Sequence, residues 1–435
     1  MKILFVDYRH VPAPDAIGNC VQKIRGQLAS AGVSSDVLSF KLTRNVPDVL
    51  SDEYGSLYTA ATWMSLSYTG RSLGFPAWRV LLRSFIAVPV KLFHKAISLH
   101  GEEETFAPAA CKNMRRTLER LCRENCYDWV VAVSLPYCIH KLAAAADLNG
   151  AHLALYYFDP FTFNATFSEA NTNYRLKEEL KTCAKAELIF ASLEHEGDWR
   201  GTALSQYVDK VVFLPYPNLV PYDGKLEAAK LHLDSGHINV LYLGTLYDGV
   251  RTPDVMLRLF EKMHEECADV RLYIVGSCGG KCVTRMLDEV QKTLENSLVI
   301  SPPVPFPQAM DLLRRSDAVI NLGNKMKNQM PSKLLDYIAA GKPIINISPN
   351  RPCNTHPYIA RYPMAVQFYN DELADAAGLE AAAEKAVDFV VENRGKSLSW
   401  AEVESTMSGF TSADVAKKCC TRWILRKNRH PCRQG

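Results

Sequence analysis

The segment of residues 328–343 combines residue types that suit an anionic, hydroxylated ligand. It reads Asn-Gln-Met-Pro-Ser-Lys-Leu-Leu-Asp-Tyr-Ile-Ala-Ala-Gly-Lys-Pro. The spacing of its apolar residues predicts a loop that enters a helix over residues 332–340. Pro331 suits the first turn, Ser332 is placed to cap the helix or to lie just inside it, and Gly341 suits its end.

Lys333 and Asp336 give this predicted helix its chemistry. A helix amino terminus offers free N–H groups to an anion, and Lys333 adds a full positive charge beside them. Asp336 lies one turn further along, where a carboxylate could accept hydrogen bonds from ribose hydroxyls. The alternative is a capped amphipathic helix with a surface lysine and a surface aspartate.

A second candidate lies in residues 240–253, where an apolar strand runs into a loop that begins at Gly244 and a helix whose early residue is Pro253. Arg251 in this loop could hold a diphosphate together with backbone N–H groups, because a guanidinium offers bidentate donors. The alternative is a solvent-exposed arginine at a helix start. Gly276 repeats the strand-to-glycine turn.

Several common motifs are absent from the sequence. There is no GxGxxG, no GxxxxGK[ST] phosphate loop and no DxD pair for a metal–diphosphate clamp. Cys122/Cys126 and Cys278/Cys282 have CxxxC spacing, but no partner pair with zinc-like spacing follows either one. We therefore expect neither a dinucleotide cofactor nor a metal.

Charge and composition set the class of protein. The 435 residues carry 50 Lys+Arg against 47 Asp+Glu, a net charge of +3, with 48% hydrophobic residues. This composition excludes a disordered or collagen-like chain and argues against a nucleic-acid binder. Two segments without acids, residues 71–100 and 415–435, hold twelve of the cations, which leaves 38 against 47 acids elsewhere. Residues 71–100 also carry an apolar pattern, which favours a basic amphipathic insertion on an anionic membrane face, or else an insertion packed on its own domain.

The compartment is predicted from the cysteines and the first residues. The 13 cysteines are odd in number, and the apolar run that starts the chain is ended by Asp7, too early for a signal peptide. We expect a reduced, cytoplasmic protein, peripheral at the inner face of the membrane if the basic segment binds lipid.

Short apolar strands alternate with helical patterns in two successive halves, which predicts an α/β protein with parallel sheets. The predicted domains are residues 1–215, a proline-rich linker 216–236, residues 237–410, and a closing helix with a basic tail at 411–435. The expected architecture is two Rossmann-like domains facing across a cleft, with the last helix returning to the first domain.

The second half resembles the donor-binding domain of GT-B glycosyltransferases, close to the retaining family-4 type of polysaccharide assembly. The residues that carry the resemblance are Gly244 to Pro253, Val275-Gly276, the turn Asn321-Leu322-Gly323-Asn324, and Gln329 to Tyr337 with Gly341-Lys342-Pro343. The resemblance is strong over residues 237–348, whereas the first half matches the family in its alternation of strands and helices.

The resemblance implies a nucleotide-diphosphate-sugar donor on the second domain and a glycan or lipid-linked acceptor on the first. Arg251 and Lys333 would neutralise the departing diphosphate, Asp336 would hold the ribose, and Val304 would lie near the base. Gly244, Thr245, Gly276 and Ser332 would line the same donor site. The family needs no metal for this chemistry.

The sequence departs from the family pattern at three positions. The family has two acids with seven residues between them, but here Asn328 takes the first position and Asp336 the second. Thr245 replaces an arginine, and Arg251 lies one position beyond the usual lysine. Lys325 or Lys327 could supply a missing charge.

In the first half, Ala16-Ile17-Gly18-Asn19 matches the glycine-bearing loop that follows the first strand in such enzymes. Asp159 ends an apolar strand, where a carboxylate could bind or activate an acceptor hydroxyl. Its alternative is an aspartate that opens a turn before Pro160.

Three other features of the first half carry little functional weight. Arg175 and Glu179 are four residues apart on one predicted helix face, which favours a surface ion pair. His10 and His140 follow strands as single histidines.

We predict a metal-independent glycosyltransferase that uses a nucleotide sugar and needs no cofactor. Two alternatives remain open. One is a catalytically silent GT-B module that binds a sugar nucleotide or a partner, and the other is a GT-B epimerase that acts on the nucleotide sugar itself.

Overall fold

The computed structural model describes residues 1–42, 45–61, 108–164, 167, 169–248, 251–326, 328–349, 351 and 353–429. The predicted basic insertion at 71–100 and Lys327 lie outside the described residues. No helix in the described ranges is long and apolar enough to cross a membrane. The chain divides into unit 1, the described residues of Met1–Pro217 and Ser412–Gly435, and unit 2, those of Asn218–Thr411.

Unit 1 is built on an eight-stranded sheet. Its strands are β1 (Lys2–Val6), β2 (Ser34–Lys41), β3 (Val49–Asp52), β4 (Gly55–Ala61), β5 (Trp129–Val133), β6 (His152–Tyr157), β7 (Leu188–Ser192) and β8 (Val211–Leu214). The order is β3-β4-β2-β1-β5-β6-β7-β8, parallel except for the β3–β4 hairpin. Every residue of β5, β6 and β7 is buried, which is typical of parallel strands that are covered on both faces.

In the described part of unit 1 that precedes unit 2, the helices are α1 (Ala16–Ser30), α2 (Pro108–Asn125), α3 (Cys138–Ala144), α4 (Thr172–Lys185) and α5 (Glu196–Gly201). The Asp15 carboxylate caps α1 by accepting from the N–H of Gly18 at 2.8 Å. Gly18 and Asn19 therefore lie in the first turn of a helix that begins two residues earlier than the predicted start at Gly18, and not in the loop before it. Their role in binding stays a prediction. A Cβ on Gly18 would lie 2.4 Å from the Arg9 carbonyl oxygen, so this glycine allows close packing.

Unit 2 holds a six-stranded sheet and a two-stranded one. The strands are β9 (Ile238–Leu243), β10 (Leu246–Tyr247), β11 (Val270–Val275), β12 (Cys278–Gly279), β13 (Leu298–Ser301), β14 (Ala318–Leu322), β15 (Ile344–Ser348) and β16 (Ala365–Tyr369). The large sheet is parallel in the order β13-β11-β9-β14-β15-β16, and β10 pairs with β12.

The helices of unit 2 connect these strands. They are α6 (Asp254–Glu266), α7 (Lys281–Leu294), α8 (Phe306–Arg315), α9 (Lys333–Ala339), α10 (His356–Ile359), α11 (Ala376–Glu392) and α12 (Trp400–Thr406). The buried faces of α6 and α11 pack with β9, β11 and β14 in one apolar core, which includes Phe260, Leu272, Ile320 and Ala383. Burying a side chain such as Leu or Phe stabilises the fold by about 2 kcal/mol.

The last helix, α13 (Ser412–Arg429), belongs to unit 1, as the sequence predicted. Its Trp423 is fully buried between Phe5 of β1 and Phe190 of β7, with ring centroids 6.4 and 5.5 Å away in edge-on geometry. Such aromatic contacts add to the energy of area burial. Unit 1 is thus completed by a helix that follows unit 2 in the sequence.

Candidate functional site

The site that the sequence singles out lies where the strand order of unit 2 reverses. From β9 the chain continues to β11 and β13, which lie on one side of β9 within the sheet. It then returns to β14, β15 and β16, which lie on the other side of β9. The carboxyl ends of β9 and β14 therefore flank a topological switch point, where ligands bind in open parallel sheets. The loop with Arg251 follows β9, and the loop with Asn328 and Lys333 follows β14.

One tyrosine fills the gap where these two strands separate. β14 is paired with β9 only at Val240 and Leu241. Two residues later, the hydroxyl of Tyr337 accepts from the N–H of Leu243 at 3.0 Å and donates to the Leu243 carbonyl at 3.1 Å. Tyr337 is buried in α9, so this pair of hydrogen bonds fixes α9 against the end of β9.

Two glycines allow the backbone to approach itself closely at the same edge. Gly244 follows β9 and Gly276 follows β11, with φ angles of 154° and 157°. A Cβ on Gly276 would lie 1.8 Å from the Gly244 carbonyl oxygen. No larger residue fits at Gly276 without moving the loop that leads to Arg251.

The loop that carries Arg251 is held at several points. β10 pairs with β12, and the backbones of Tyr247 and Arg251 exchange hydrogen bonds of 3.0 and 3.2 Å. The Asp248 carboxylate caps α7, accepting from the N–H groups of Cys282 and Val283 at 3.4 and 3.0 Å. These hydrogen bonds therefore fix the backbone of the loop from which the side chain of Arg251 extends.

Arg251 is half-buried, and its Nη2 donates to Oδ1 of Asn324 at 2.5 Å. Its Nε is buried and has no hydrogen-bond partner among the described residues. Burial raises the pKa of the neighbouring Tyr242, and the positive charge of Arg251 opposes that shift. Arg251 thus spans from the β9 loop to the β14 loop and keeps a buried donor available.

The β14 loop is organised by two buried asparagines. Nδ2 of Asn324 donates to the Gln329 carbonyl at 3.0 Å, and Nδ2 of Asn354 donates to the same carbonyl at 2.6 Å. Asn354 also donates to the Met326 carbonyl at 3.1 Å. These contacts fold the chain between β14 and α9 back on itself.

Lys333 begins α9 and is half-exposed, and within the described ranges its ammonium group has no ion-pair partner. Ser332 occupies the cap position, but its exposed side chain makes no capping hydrogen bond. Asp336 and Asn328 are half-buried on α9 and in the loop before it. Arg251 thus lies on the loop after β9, whereas Lys333 and Asp336 lie on α9. The hydrogen bonds of Asn324 and Tyr337 connect these two segments.

The remaining residues that were predicted to bind or assist the sugar donor lie in loops of unit 2. Thr245 is exposed in the β9 loop, and its carbonyl accepts from the Tyr242 hydroxyl at 3.4 Å. Val304 is half-exposed between β13 and α8, at the carboxyl end of the outermost strand. Lys325 is exposed in the β14 loop, where it could supply a charge.

Asp159 in unit 1 lies in the turn that follows β6, half-buried, at the carboxyl edge of the sheet. The Tyr216 hydroxyl donates to the adjacent Phe158 carbonyl. Burial raises the pKa of Tyr216, and the charge of Asp159 raises it further. The same edge of unit 1 therefore holds a half-buried carboxylate whose charge acts on the buried hydroxyl of Tyr216.

The prediction that Arg175 and Glu179 form a surface pair is wrong, because both are buried, at 2% and 3% exposure. Glu179 accepts from the N–H and the hydroxyl of Thr162, and Nε of Arg175 donates to the Thr162 carbonyl at 3.3 Å. Burial raises the pKa of Glu179 to about 7, against the hydrogen bonds from Thr162, which lower it. This pair fixes the loop that begins with Asp159.

The two histidines also lie in the interior of unit 1. His10 hydrogen-bonds to Asp7 at 2.9 Å and to Gln22 at 2.7 Å. Burial alone would lower the pKa of His10, but Asp7 raises it above its usual value. His140 is fully buried, and burial lowers its pKa to about 3, so it is a neutral core residue.

Sequence reasoning assigned no separate role to Asn324, Asn354 and Tyr337. Asn324 had a signal, since it follows a glycine directly after a strand. Tyr337 looked like one more apolar position of an amphipathic helix, and Asn354 lies in a loop without a pattern. Across the residues that the structure describes, no group of three or more His, Cys, Asp or Glu side chains is arranged to hold a metal ion.

No family model and no curated protein sequence matches this chain. Solved structures do match it over almost its whole length. The catalytic domain of starch synthase IV from Arabidopsis thaliana, bound to ADP and acarbose, superposes with a TM-score of 0.61 at 11% identity, covering 98% of this chain and 99% of that one.

Two further structures give the same result. The pneumococcal O-GlcNAc transferase GtfA, in complex with UDP and GlcNAc, has a TM-score of 0.56 at 12% identity and covers 98% and 99% of the two chains. Sucrose-phosphate synthase from Thermosynechococcus elongatus has a TM-score of 0.54 at 12% identity with the same coverage. These neighbours are GT-B glycosyltransferases, and the chain has the GT-B fold that its sequence predicted.

Proposed function

We propose that this protein transfers a sugar from a nucleoside-diphosphate sugar to a hydroxyl group of an acceptor. The observation that carries the proposal is the arrangement at the switch point of unit 2. Arg251 on the loop after β9 and Lys333 on the helix after β14 belong to segments joined by the Arg251–Asn324 and Tyr337–Leu243 hydrogen bonds. Two cations at such a place suit a diphosphate.

The proposed catalysis is electrostatic. As the bond between the sugar and the diphosphate breaks, negative charge grows on the leaving phosphate. The guanidinium of Arg251 and the ammonium of Lys333 stabilise that charge without a metal ion. Asp336 accepts hydrogen bonds from the ribose, and the amide of Asn328 binds a sugar hydroxyl without adding charge. Retention of configuration, as in the family-4 type that the sequence resembles, belongs to the same proposal.

The acceptor side of the proposal rests on unit 1. Asp159 lies at the carboxyl edge of its sheet, and we assign it to the acceptor hydroxyl as a hydrogen-bond acceptor or base. We take the acceptor to be a glycan or a lipid-linked sugar of cell-surface polysaccharide synthesis. The basic composition of residues 71–100 supports a peripheral site at the cytoplasmic face of a membrane.

The test measures turnover of a panel of UDP-, ADP-, GDP- and dTDP-sugars by release of the nucleoside diphosphate. We expect hydrolysis or transfer with one of them, and a loss of at least tenfold in Arg251→Ala and in Lys333→Ala. The matched control is Arg285→Ala, an exposed arginine on α7 that makes only a 3.7 Å ion pair with Glu289. A protein that binds none of the panel refutes the proposal.

A binding module without turnover is the second candidate, favoured by Asn328 and Thr245. Neither side chain carries the charge that the family pattern has at these positions. Binding of a nucleotide sugar without release of a nucleoside diphosphate, in the presence of candidate acceptors, would support this function against the transferase.

The membrane part of the proposal has its own test. Co-sedimentation with anionic vesicles at low salt is expected to recover the full-length protein, with weaker recovery at high salt because charge attraction is screened. A variant with the five cations of residues 71–100 replaced by glutamine should remain in the supernatant. Absence of vesicle binding by the unaltered protein would contradict the membrane part alone.

A further inference from the structure

We propose that Asn324 is a positioning residue that fixes Arg251 for diphosphate binding and ties it to the turn that leads into α9. The inference rests on the proposed function, because it assumes that Arg251 binds the diphosphate. It concerns a residue that need not touch the ligand itself.

Asn324 is well placed to hold a side chain in one orientation. It is 7% exposed and lies directly after Gly323, at the end of β14. Its Oδ1 accepts from Nη2 of Arg251 at 2.5 Å, and its Nδ2 donates to the Gln329 carbonyl at 3.0 Å. Since a guanidinium only donates and a carbonyl only accepts, the two contacts together fix which way the amide faces.

The shared carbonyl links the two loops. The Gln329 carbonyl receives a second hydrogen bond from Asn354 at 2.6 Å. Residue 329 is four positions before Lys333, so a displacement of this carbonyl would shift the start of α9. Asn324 therefore joins the cation of the β9 loop to the backbone that leads to the cation of α9.

Arg251 is held through neutral groups, because the hydroxyl of Tyr242 hydrogen-bonds to it in addition to Asn324. Its Nε is buried without a partner among the described residues, and no carboxylate pairs with its guanidinium there. A neutral amide holds the guanidinium without cancelling its charge, which a carboxylate at position 324 would do. A long arginine without this contact would lose orientation before the ligand arrives, and binding would then have to restore it.

The experiment measures binding of a nucleoside diphosphate by calorimetry, with the tightest binder among UDP, ADP, GDP and dTDP as the probe and its monophosphate as the comparison. Arg251→Ala, Asn324→Ala and the double variant complete a cycle. Asn324→Ala is expected to weaken diphosphate binding about tenfold. Added to Arg251→Ala, it is expected to cause a clearly smaller loss than in the unaltered protein, because the part that acts through the arginine is gone and only the effect on the start of α9 remains. Monophosphate binding should change less.

Two controls separate positioning from general damage. Asn354→Ala removes the other donor to Gln329 but does not touch Arg251, so it should weaken binding less than Asn324→Ala. Asn239→Ala removes an equally buried asparagine from the amino end of β9, where Nδ2 donates to the Asp234 and His237 carbonyls. It should lower thermal stability and leave nucleotide binding unchanged.

The outcomes distinguish the two levels of the proposal. If Arg251→Ala leaves diphosphate binding unchanged, the proposed function fails. If Arg251→Ala weakens binding but Asn324→Ala does not, or if the two losses are additive, the inference about Asn324 fails. Should Asn324→Ala not fold, Asn324→Leu keeps the volume but removes both hydrogen bonds without adding charge, and it too must weaken diphosphate binding for the inference to stand.

Discussion

At the residue scale, the hydroxyl of Tyr337 replaces two backbone partners that the sheet does not provide. It accepts from the Leu243 N–H and donates to the Leu243 carbonyl, beyond the last position where β14 pairs with β9. Burying both groups without partners would be costly. The side chain of Tyr337 thus stabilises the separation of β9 and β14 at the switch point.

Replacing Tyr337 by phenylalanine tests this contact. The ring still fills its space, but a buried N–H and a buried carbonyl lose their partner, so we expect the free energy of unfolding of unit 2 to fall by about 2 kcal/mol. Denaturant unfolding measures the change. Tyr362→Phe is the control, because that buried tyrosine makes one hydrogen bond, to the Lys342 carbonyl at 2.9 Å. A smaller loss for Tyr337→Phe than for Tyr362→Phe would contradict the account.

Gly276 and Gly279 form a matched pair for the close approach of the two glycine turns. Gly276→Ala would place a Cβ 1.8 Å from the Gly244 carbonyl oxygen, whereas Gly279→Ala would meet its nearest atom, the Leu246 carbonyl oxygen, at 4.0 Å. We expect Gly276→Ala to destabilise unit 2 by about 2–3 kcal/mol and to weaken nucleotide binding. Gly279→Ala should change stability by less than about 1 kcal/mol. Equal effects in thermal unfolding would show that the close contact relaxes freely.

At the scale of elements, α4 fixes the loop that carries Asp159. Glu179 and Arg175 reach inward from this helix to Thr162, three residues after Asp159. They were predicted to be exposed because a charged pair four residues apart is commonly a surface feature. The contrary signal was Cys183, which continues the same spacing and is fully buried. When a charged pair and a core residue follow one another at a spacing of four along a helix, all three lie on the buried face of that helix.

The raised pKa of Glu179 makes a pH-dependent prediction. Because its pKa rises from an ordinary value of 4.5 to about 7 in the folded protein, the folded state holds the proton more tightly than the unfolded chain does. The stabilising effect of that proton is complete below pH 4.5 and is lost as the pH rises through 7. Between about pH 5.5 and 8.5 we expect unit 1 to lose on the order of 2 kcal/mol, and Glu179→Gln to abolish this part of the loss.

The neighbouring Glu178 supplies the control for that prediction. Burial would raise its pKa, but hydrogen bonds and the charges of Lys181 and Lys141 lower it overall. Its contribution therefore has the opposite sign and should be lost at acid pH. Unfolding curves of Glu178→Gln should keep the alkaline loss seen in the unaltered protein. If Glu179→Gln also keeps it, the titrating group lies elsewhere.

The local pattern of apolar residues predicted the strands of the two large sheets well, but it predicted fewer of the contacts at the candidate site. β1, β9 and β11 were predicted to the residue, because short apolar runs bounded by turns have few alternative structures. The β3–β4 hairpin and the edge strand β16 were missed, because β3 has no buried residue and β16 alternates between buried and half-buried residues, so neither forms a continuous apolar run. Arg251 and Lys333 stood out by type, but only the fold revealed Asn324 as the link between their loops.

At the scale of the whole molecule, the chain builds unit 1, then all of unit 2, and then returns to unit 1 with α13. Unit 2 is continuous in sequence, whereas the core of unit 1 is closed by a helix that lies almost 200 residues further on. Stability of unit 1 should therefore depend on a side chain that follows unit 2 in the sequence.

The variant Trp423→Ala tests whether the stability of unit 1 depends on α13. It removes a fully buried indole that contacts Phe5 of β1 and Phe190 of β7, so we expect unit 1 to lose about 3–5 kcal/mol. Hydrogen exchange should speed up in β1 and β7 while β9 and β14 keep their protection, because their core contains no residue of α13. Ile424→Ala is the control, since that neighbouring side chain is 51% exposed and should matter little. An equal rise in exchange across both sheets would show that the two units unfold as one.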